Sequence, residues 1–236
     1  MNYLCDMHCH IVPGVDDGAD TMKTAYQILR REERQGVRRI IVTPHFRKHM
    51  FETPREEVQD AFEALQDMVD YKFQDMELFL GCELHAYMGM ENRIKEPLYR
   101  MNGTRYVLLE FSESDPEDFI RERTSTVVRL GCIPILAHIE RYTALVKRLP
   151  FVQELAESGA LLQVNADSVL GLDGFWKKQF THKLLANNLV NFIGSDAHDV
   201  GERTTHIGDC AALVEKKFGT DYAHAIFVRN PERMMN

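Results

Sequence analysis

His8 and His10 stand one residue apart at the end of an apolar run, and the loop behind them carries Asp16, Asp17 and Gly18. An extended strand sends residues i and i+2 to the same face, so two imidazoles at this spacing can hold one metal ion together. The pair alone is also compatible with two hydrogen-bonded polar side chains. The same kind of residue returns along the chain, however, each time at the end of a short apolar run. His45 follows Ile41-Val42-Thr43-Pro44, Glu83 follows Gly81-Cys82, and Glu110 follows Leu108-Leu109. His138, Glu140 and Arg141 follow Ala137, and Asp196 and His198 follow Gly194-Ser195. Glu and His are poor choices at the end of a buried strand unless they are paired or bound to metal.

Imidazoles and carboxylates without thiolate suit Mn²⁺, Fe²⁺ or Zn²⁺. The donors are too many for one ion, and two or three ions sharing a carboxylate is the economical arrangement. Clusters of that kind, with metals roughly 3.5–4 Å apart, generate hydroxide at neutral pH and clamp phosphoryl oxygens. Arg141 and Arg203 are candidates to grip phosphate oxygens, because a guanidinium matches them bidentately. For Arg141 the alternative is a salt bridge to Glu140 or another carboxylate. Arg47 and Lys48 could attract an acidic phosphopeptide or simply be solvated. Met50 and Phe51 could wall an aromatic ring.

Five histidines fall outside this pattern. His85 follows Glu83 by two and could assist a leaving group. His182 and His224 fall in predicted helices and read as surface residues, and His49 and His206 sit near loops with nothing to separate ligand from bystander. Cys9 and Cys82 neighbour candidate ligands but alternate to the opposite face. A cysteine-dependent phosphatase needs Arg six residues after its nucleophile. Ile11, Val15, Met88, His138 and Lys216 occupy that offset after the five cysteines, which rejects the mechanism.

The elements that must position these groups follow a βα rhythm. Strands are predicted over 3–8, 38–43, 77–81, 105–110, 133–138, 161–165 and 189–194. Thr21 caps a helix through Gln35, stopped by Gly36. Pro54 opens the next as its first helical residue, running to about 69. Further helices read over 116–130, 150–158, 174–187, 204–218 and 222–227, with an irregular stretch over 87–99. Phe175, Trp176 and Phe180 read as an apolar core face. Polar groups at nearly every strand end favour a parallel barrel, whose chemistry collects around one mouth, over an open sheet with one switch point. No linker or repeat divides the chain, so residues 1–236 read as one domain.

A formal net charge of -8 offers no basic field for a phosphate backbone, which argues against nucleic acid as partner. Five cysteines without a Cys-x-x-Cys spacing fit reduced thiols and a cytoplasmic location. No apolar stretch near 18 residues appears, so neither a signal peptide nor membrane insertion is expected.

His8-x-His10, Asp16-Asp17-Gly18, His45, Glu83, Glu110, His138 and Asp196-x-His198 together resemble the ordered motifs of the PHP (polymerase and histidinol phosphatase) superfamily. The resemblance covers nearly the whole chain. It is closest to the manganese-dependent protein tyrosine phosphatases found with bacterial capsular and exopolysaccharide genes, through 10–18, 50–54, 137–142, Gln163-Val164-Asn165 and 194–198.

The resemblance implies a distorted (β/α)7 TIM-like barrel with a two- or three-metal site, Mn²⁺ first, with Fe²⁺, Zn²⁺, Mg²⁺ or Co²⁺ as alternatives. By position, His8, His10, Glu83 and Asp196 would hold one ion. Glu83 would bridge to a second, completed by Glu110 and His138, and Asp17, His45 and His198 would hold a third. One residue of loop register would exchange Asp17 for Asp16.

The implied activity is hydrolysis of phosphotyrosine on a protein, a membrane-associated tyrosine kinase controlling polysaccharide export. The competing expectations are a small-molecule phosphatase, such as one for histidinol phosphate, and a metal-binding regulatory module without catalysis.

Overall fold

The computed structural model describes residues 1–235 of the 236-residue chain. Its strands pair in parallel throughout, in an α/β fold with a curled sheet. β1 (Leu4–Cys9), β2 (Val37–Val42) and β4 (Glu77–Leu80) form a three-stranded sheet in that order. The second sheet has six strands in the order β3 (His45–Phe46), β5 (Glu83–His85), β6 (Tyr106–Glu110), β7 (Ile133–Leu136), β8 (Leu161–Asn165) and β9 (Phe192–Gly194). All seven predicted strands are present, though the seventh shortens to three residues.

The division into two sheets comes from creases in two of the seven. β2 stops at Val42 and the chain resumes as β3 at His45, and β4 stops at Leu80 and resumes as β5 at Glu83. Pro44 has no N–H for the ladder, which interrupts the first of them. The creases lie side by side in one register, since Val42 faces Leu80 before them and His45 faces Glu83 after. Gly81 N–H donates to Val42 O at 2.7 Å, and Glu83 N–H to Pro44 O at 3.2 Å. On the other flank, Asp196 N–H donates to His8 O at 2.8 Å and His10 N–H to Ala197 O at 2.9 Å.

Helices alternate with the strands. They are α1 (Met22–Arg34), α2 (Arg55–Lys72), α3 (Glu91–Lys95), α4 (Glu117–Arg129), α5 (Leu149–Glu157), α6 (Ala166–Leu170), α7 (Phe175–Ala186), α8 (Ile207–Phe218), α9 (Thr220–His224) and α10 (Asn230–Met235). Thr21 caps α1 as predicted, its side chain accepting from Thr24 N–H. Pro54 precedes the first residue of α2 instead of being that residue. The last predicted helix is part of a longer helical run, with wider turns over Ala225–Arg229 joining α9 to α10. α6 is a short helix with no sequence expectation behind it.

Apolar side chains fill the interior from both sides of the sheet. The expectation for α7 needs correcting. Its buried side chains are Phe180, Thr181, Leu184 and Leu185, whereas Phe175 and Trp176 are 62% and 67% exposed. The helical period fits either face for a first turn, and the chain enters α7 with that turn facing outward.

Candidate metal centre

Strand alternation puts His8 and His10 on one face as expected, with their Nε2 atoms 3.1 Å apart. Cys9, between them, points into the core. The crease registers deliver the next two groups, because His45 and Glu83 are the first residues after each crease and face each other. Glu110 ends β6, and His138 lies two residues past β7 in a turn with φ 29°. Asp196 also has positive φ, 55°, in the turn after β9. Gly194 permits that turn to pass close to His8, since a Cβ there would lie 2.6 Å from the His8 Cβ.

The side chains converge. His8, His10, Glu83 and Asp196 each offer one ligand atom within 4.8 Å of the others, and His10, Asp17, His45 and His198 do the same. His45, Glu83 and Glu110 make a third such group. Glu83 is the hub. Its Oε2 is 3.1 Å from both His8 Nε2 and His10 Nε2 and 3.2 Å from His45 Nδ1, and its Oε1 is 2.9 Å from His138 Nε2. His138 Nε2 lies 3.9 Å from Glu110 Oε1.

The two loop aspartates face different ways. Asp16 is spent on its surroundings, accepting from His45 N–H and Gly18 N–H and pairing with His10 Nδ1 at 2.9 Å. Asp17 instead faces His45 Nε2 and His198 Nε2, each at 3.5 Å.

Several residues without an assignment of their own fix the imidazoles. His8 Nδ1 faces Gln163 Oε1 at 3.3 Å, and the same oxygen accepts His138 N–H at 2.7 Å. Tyr142 Oη lies 3.4 Å from His138 Nδ1, and His198 Nδ1 is 2.8 Å from its Asp196 carbonyl. In each case the second ring nitrogen is tied down and Nε2 is left facing the cluster, the arrangement that orients metal-binding histidines. Asn165 Nδ2 donates to Asp196 Oδ2 at 2.9 Å. Behind them Asp6, fully buried, accepts from Ser195 N–H at 3.0 Å and Ser195 Oγ–H at 2.5 Å, while Ala197 N–H donates to Ser195 Oγ at 3.0 Å. Gln163, Asn165 and Asp6 carry the same signal as Glu83, a polar residue inside an apolar strand.

Burial disfavours charge throughout, and the neighbours decide which groups keep it. Burial opposes ionisation of Glu83, yet His8 and His45 hold its carboxyl well below the usual range. Asp196 is likewise held low by Arg141 and His8 against burial. Burial, and then the charge of Glu83, push Glu110 up to about 9. Burial depresses His45 to about 4.

A cation fits this donor set. His45 Nδ1, Glu83 Oε2, Glu110 Oε2 and His198 Nε2 are buried without a hydrogen-bond partner. Two imidazole nitrogens 3.1 Å apart and one proton-poor carboxylate among four rings are what divalent ions would hold together.

Arg141 and Arg203 border the cluster and line one small cavity with Asn165, Asp173 and Asp196. Arg141 Nη2 is 2.8 Å from Asp196 Oδ2, so its partner is that carboxylate and not Glu140. Arg203 Nη2 lies 3.3 Å from Asp196 Oδ1 and its Nη1 3.6 Å from Asp17 Oδ2. A tight turn in which Arg47 and Phe51 pair lays the Phe51 ring on His45, with centroids 5.2 Å apart and planes at 11°. Met50 is exposed on that turn.

The other histidines stand apart from the three groups. His85 Nε2 is 3.1 Å from Ser112 Oγ, and His206 Nδ1 is 2.7 Å from Asp167 Oδ1. His182 is half-buried on the Val169 carbonyl, and His49 and His224 are exposed. All five cysteines are free and buried, and burial pushes the thiols of Cys5, Cys9, Cys82 and Cys210 up, which leaves no thiolate near the cluster.

Residues 4–236 match the family described as "Capsular polysaccharide synthesis, CpsB/CapC". The chain is 33% identical over 238 residues to the tyrosine-protein phosphatase CpsB of Streptococcus pneumoniae, covering 98% of each chain. It is 30% identical over 224 residues to the tyrosine-protein phosphatase YwqE of Bacillus subtilis strain 168, covering 94% of this chain and 88% of YwqE. It also superposes on a crystal structure from work on YwqE of Bacillus subtilis and CpsB of Streptococcus pneumoniae, described as unique metal-dependent tyrosine phosphatases. The TM-score is 0.89 at 28% identity, covering 98% of this chain and 94% of that one.

Proposed function

Because the chain belongs to the capsular polysaccharide synthesis family CpsB/CapC, we propose that it is a metal-dependent phosphatase acting on phosphotyrosine in proteins. The observation that carries this reading is the buried carboxylate–imidazole cluster, with unpartnered donor atoms, lying against two guanidinium groups. The two sheets, joined through the creases and through the bonds from β1 to 196–197, read as one distorted (β/α)7 barrel of the PHP type in a single domain. We assign His8, His10, Glu83 and Asp196 to one ion, Glu83, Glu110 and His138 to a second, and Asp17, His45 and His198 to a third. Mn²⁺ suits this mixture of nitrogen and oxygen donors.

Bound divalent ions supply Lewis acidity toward phosphoryl oxygens and lower the pKa of water. The chain's own groups do the rest. Arg141 and Arg203 bind the non-bridging phosphate oxygens and neutralise charge that grows there. Phe51, braced on His45, and Met50 wall the aromatic ring. Asp196, Asn165 and Gln163 keep Arg141, His8 and His138 in place. Phenol has a pKa of about 10, so phenolate leaves without a strong acid. The protein substrate we propose is a membrane-associated tyrosine kinase, met from the cytoplasm. Among the described residues no helix is long and apolar enough to cross a membrane.

The test incubates Mn²⁺-loaded protein with phosphotyrosine peptide, phosphoserine peptide and histidinol phosphate. Hydrolysis of phosphotyrosine peptide at least tenfold faster than the others is expected, about 1.4 kcal/mol of selectivity. Cleavage of histidinol phosphate alone would move the reading to a small-molecule phosphatase, and cleavage of none to a regulatory module.

A further inference from the structure

Three large apolar side chains in five residues, Leu172, Phe175 and Trp176, are 61%, 62% and 67% exposed. They contribute nothing to the buried face of α7, which starts its core contacts at Phe180. The Phe175 and Trp176 rings touch edge to face, with centroids 5.3 Å apart, so they form a patch and not scattered exposures. Patches of this kind mark sites of interaction.

The patch is continuous with the candidate centre. Asp173, inside the segment, lines the same cavity as Arg141, Asp196 and Arg203, and α7 packs against the turn Ile139–Arg141. Its backbone is held in place. Ser168 Oγ–H donates to Asp173 Oδ2 at 2.8 Å, and Lys178 Nζ donates to Leu170 O at 2.8 Å. Gly171 has φ 92°, and a Cβ there would meet Lys178 Cδ at 2.7 Å. The rings therefore stand on a segment tied back to α6 and α7. Lys147 Nζ lies 5.0 Å from the Trp176 ring centroid, which places one positive charge on a rim that also carries the Asp173 carboxylate.

We propose that Leu172, Phe175 and Trp176 dock apolar or aromatic side chains flanking the phosphotyrosine of a protein substrate, with Lys147 favouring an acidic residue among them. This rests on the phosphotyrosine reading of the centre. Because α7 packs against the turn that carries Arg141, the patch offers an aromatic surface beside a phosphate gripped there. Aromatic anchors on a rigid scaffold carry much of the energy of such recognition.

The test uses the Mn²⁺-loaded full chain, the Phe175→Ser/Trp176→Ser variant, and two phosphotyrosine peptides of equal length. One carries aromatic and acidic flanks, the other Gly and Ser. The wild type should prefer the first by roughly tenfold in kcat/KM, expressed in KM, and the variant should lose that preference with kcat retained. Trp176 is the chain's single tryptophan, so its emission should shift to the blue when the first peptide binds. Equal treatment of both peptides by the wild type, without any emission change, overturns the docking surface while leaving the phosphatase intact. A concentration-dependent blue shift without peptide overturns it in favour of a second copy. An emission shift with no hydrolysis of either peptide supports docking and removes the phosphatase reading instead.

Discussion

Arg141 Nη2 and Asp196 Oδ2 stand 2.8 Å apart, a buried carboxylate held low by its guanidinium partner. The pair fixes the guanidinium beside the cluster. Arg141→Ala should lower kcat/KM by about 10²–10³, the scale of losing one positioned donor to a charged transition state. Arg141→Lys should recover little, since an ammonium cannot repeat the bidentate fork. Steady-state kinetics on phosphotyrosine peptide checks both.

Glu83 contacts four imidazoles, and all of them depend on its charge. Glu83→Gln keeps the volume and removes the charge. The variant should bind at least one ion fewer by elemental analysis after dialysis against Mn²⁺, and lose turnover by about 10³ or more. Retention of the full metal complement would show that the carboxylate is not a shared ligand.

The two neighbouring aspartates should separate in a metal titration. Asp17→Ala removes an oxygen donor and should lower the number of ions bound at saturation. Asp16→Ala removes the brace behind His10 and His45, and should weaken affinity by about 10–100-fold at unchanged stoichiometry. Reversal of the two results would exchange their roles.

Glu110 sits near pKa 9 without a cation, raised by burial and by Glu83. Below that pH its carboxyl is protonated, and a dication must displace the proton. Metal affinity should therefore climb as pH rises toward 9, with proton release measurable by calorimetry in buffers of different ionisation enthalpy. Glu110→Gln should release about one proton fewer.

A second carboxyl pair lies behind the centre. Glu32 is fully buried with neither carboxyl oxygen bonded, close to Asp6, and burial followed by the Asp6 charge raises it well above its usual range. A folded-state pKa above the unfolded one gives stability that is complete below the unfolded carboxylate pKa and fades as pH rises toward the folded value. Glu32→Gln should thus be the more stable protein at pH 8, by up to about 1.4 kcal/mol for each pH unit gained, with the gap closing near pH 5. Urea denaturation midpoints at both pH values decide it.

What the sequence exposed and what it hid divide along physical lines. Strand cores were legible because apolar runs of 4–8 residues have few other uses, and His8 with His10 because a two-residue period is rigid. Pro44 was a visible obstacle to a strand, but nothing in Gly81-Cys82 announces the matching crease. The choice of Asp17 over Asp16 rests on the resemblance alone, since loop conformation and not periodicity decides which one faces inward. The roles of Gln163, Asn165 and Tyr142 are silent in the sequence because they act on His8, His138 and Asp196 through hydrogen bonds. The outward turn of Phe175 and Trp176 is not legible, because the first turn of a helix can face either way.

The synchrony of the creases sets a rule for changes in chain length. His45 reaches Glu83 only because both strands skip the same two residues, so the alignment survives as a difference and not as two independent positions. A single-residue deletion between Val42 and His45, or between Leu80 and Glu83, would throw one strand out of step and turn one of these side chains away from the centre. The same deletion made in both strands would restore the step. Insertions and deletions in this pair of segments are therefore coupled, and tolerated lengths should come in matched pairs.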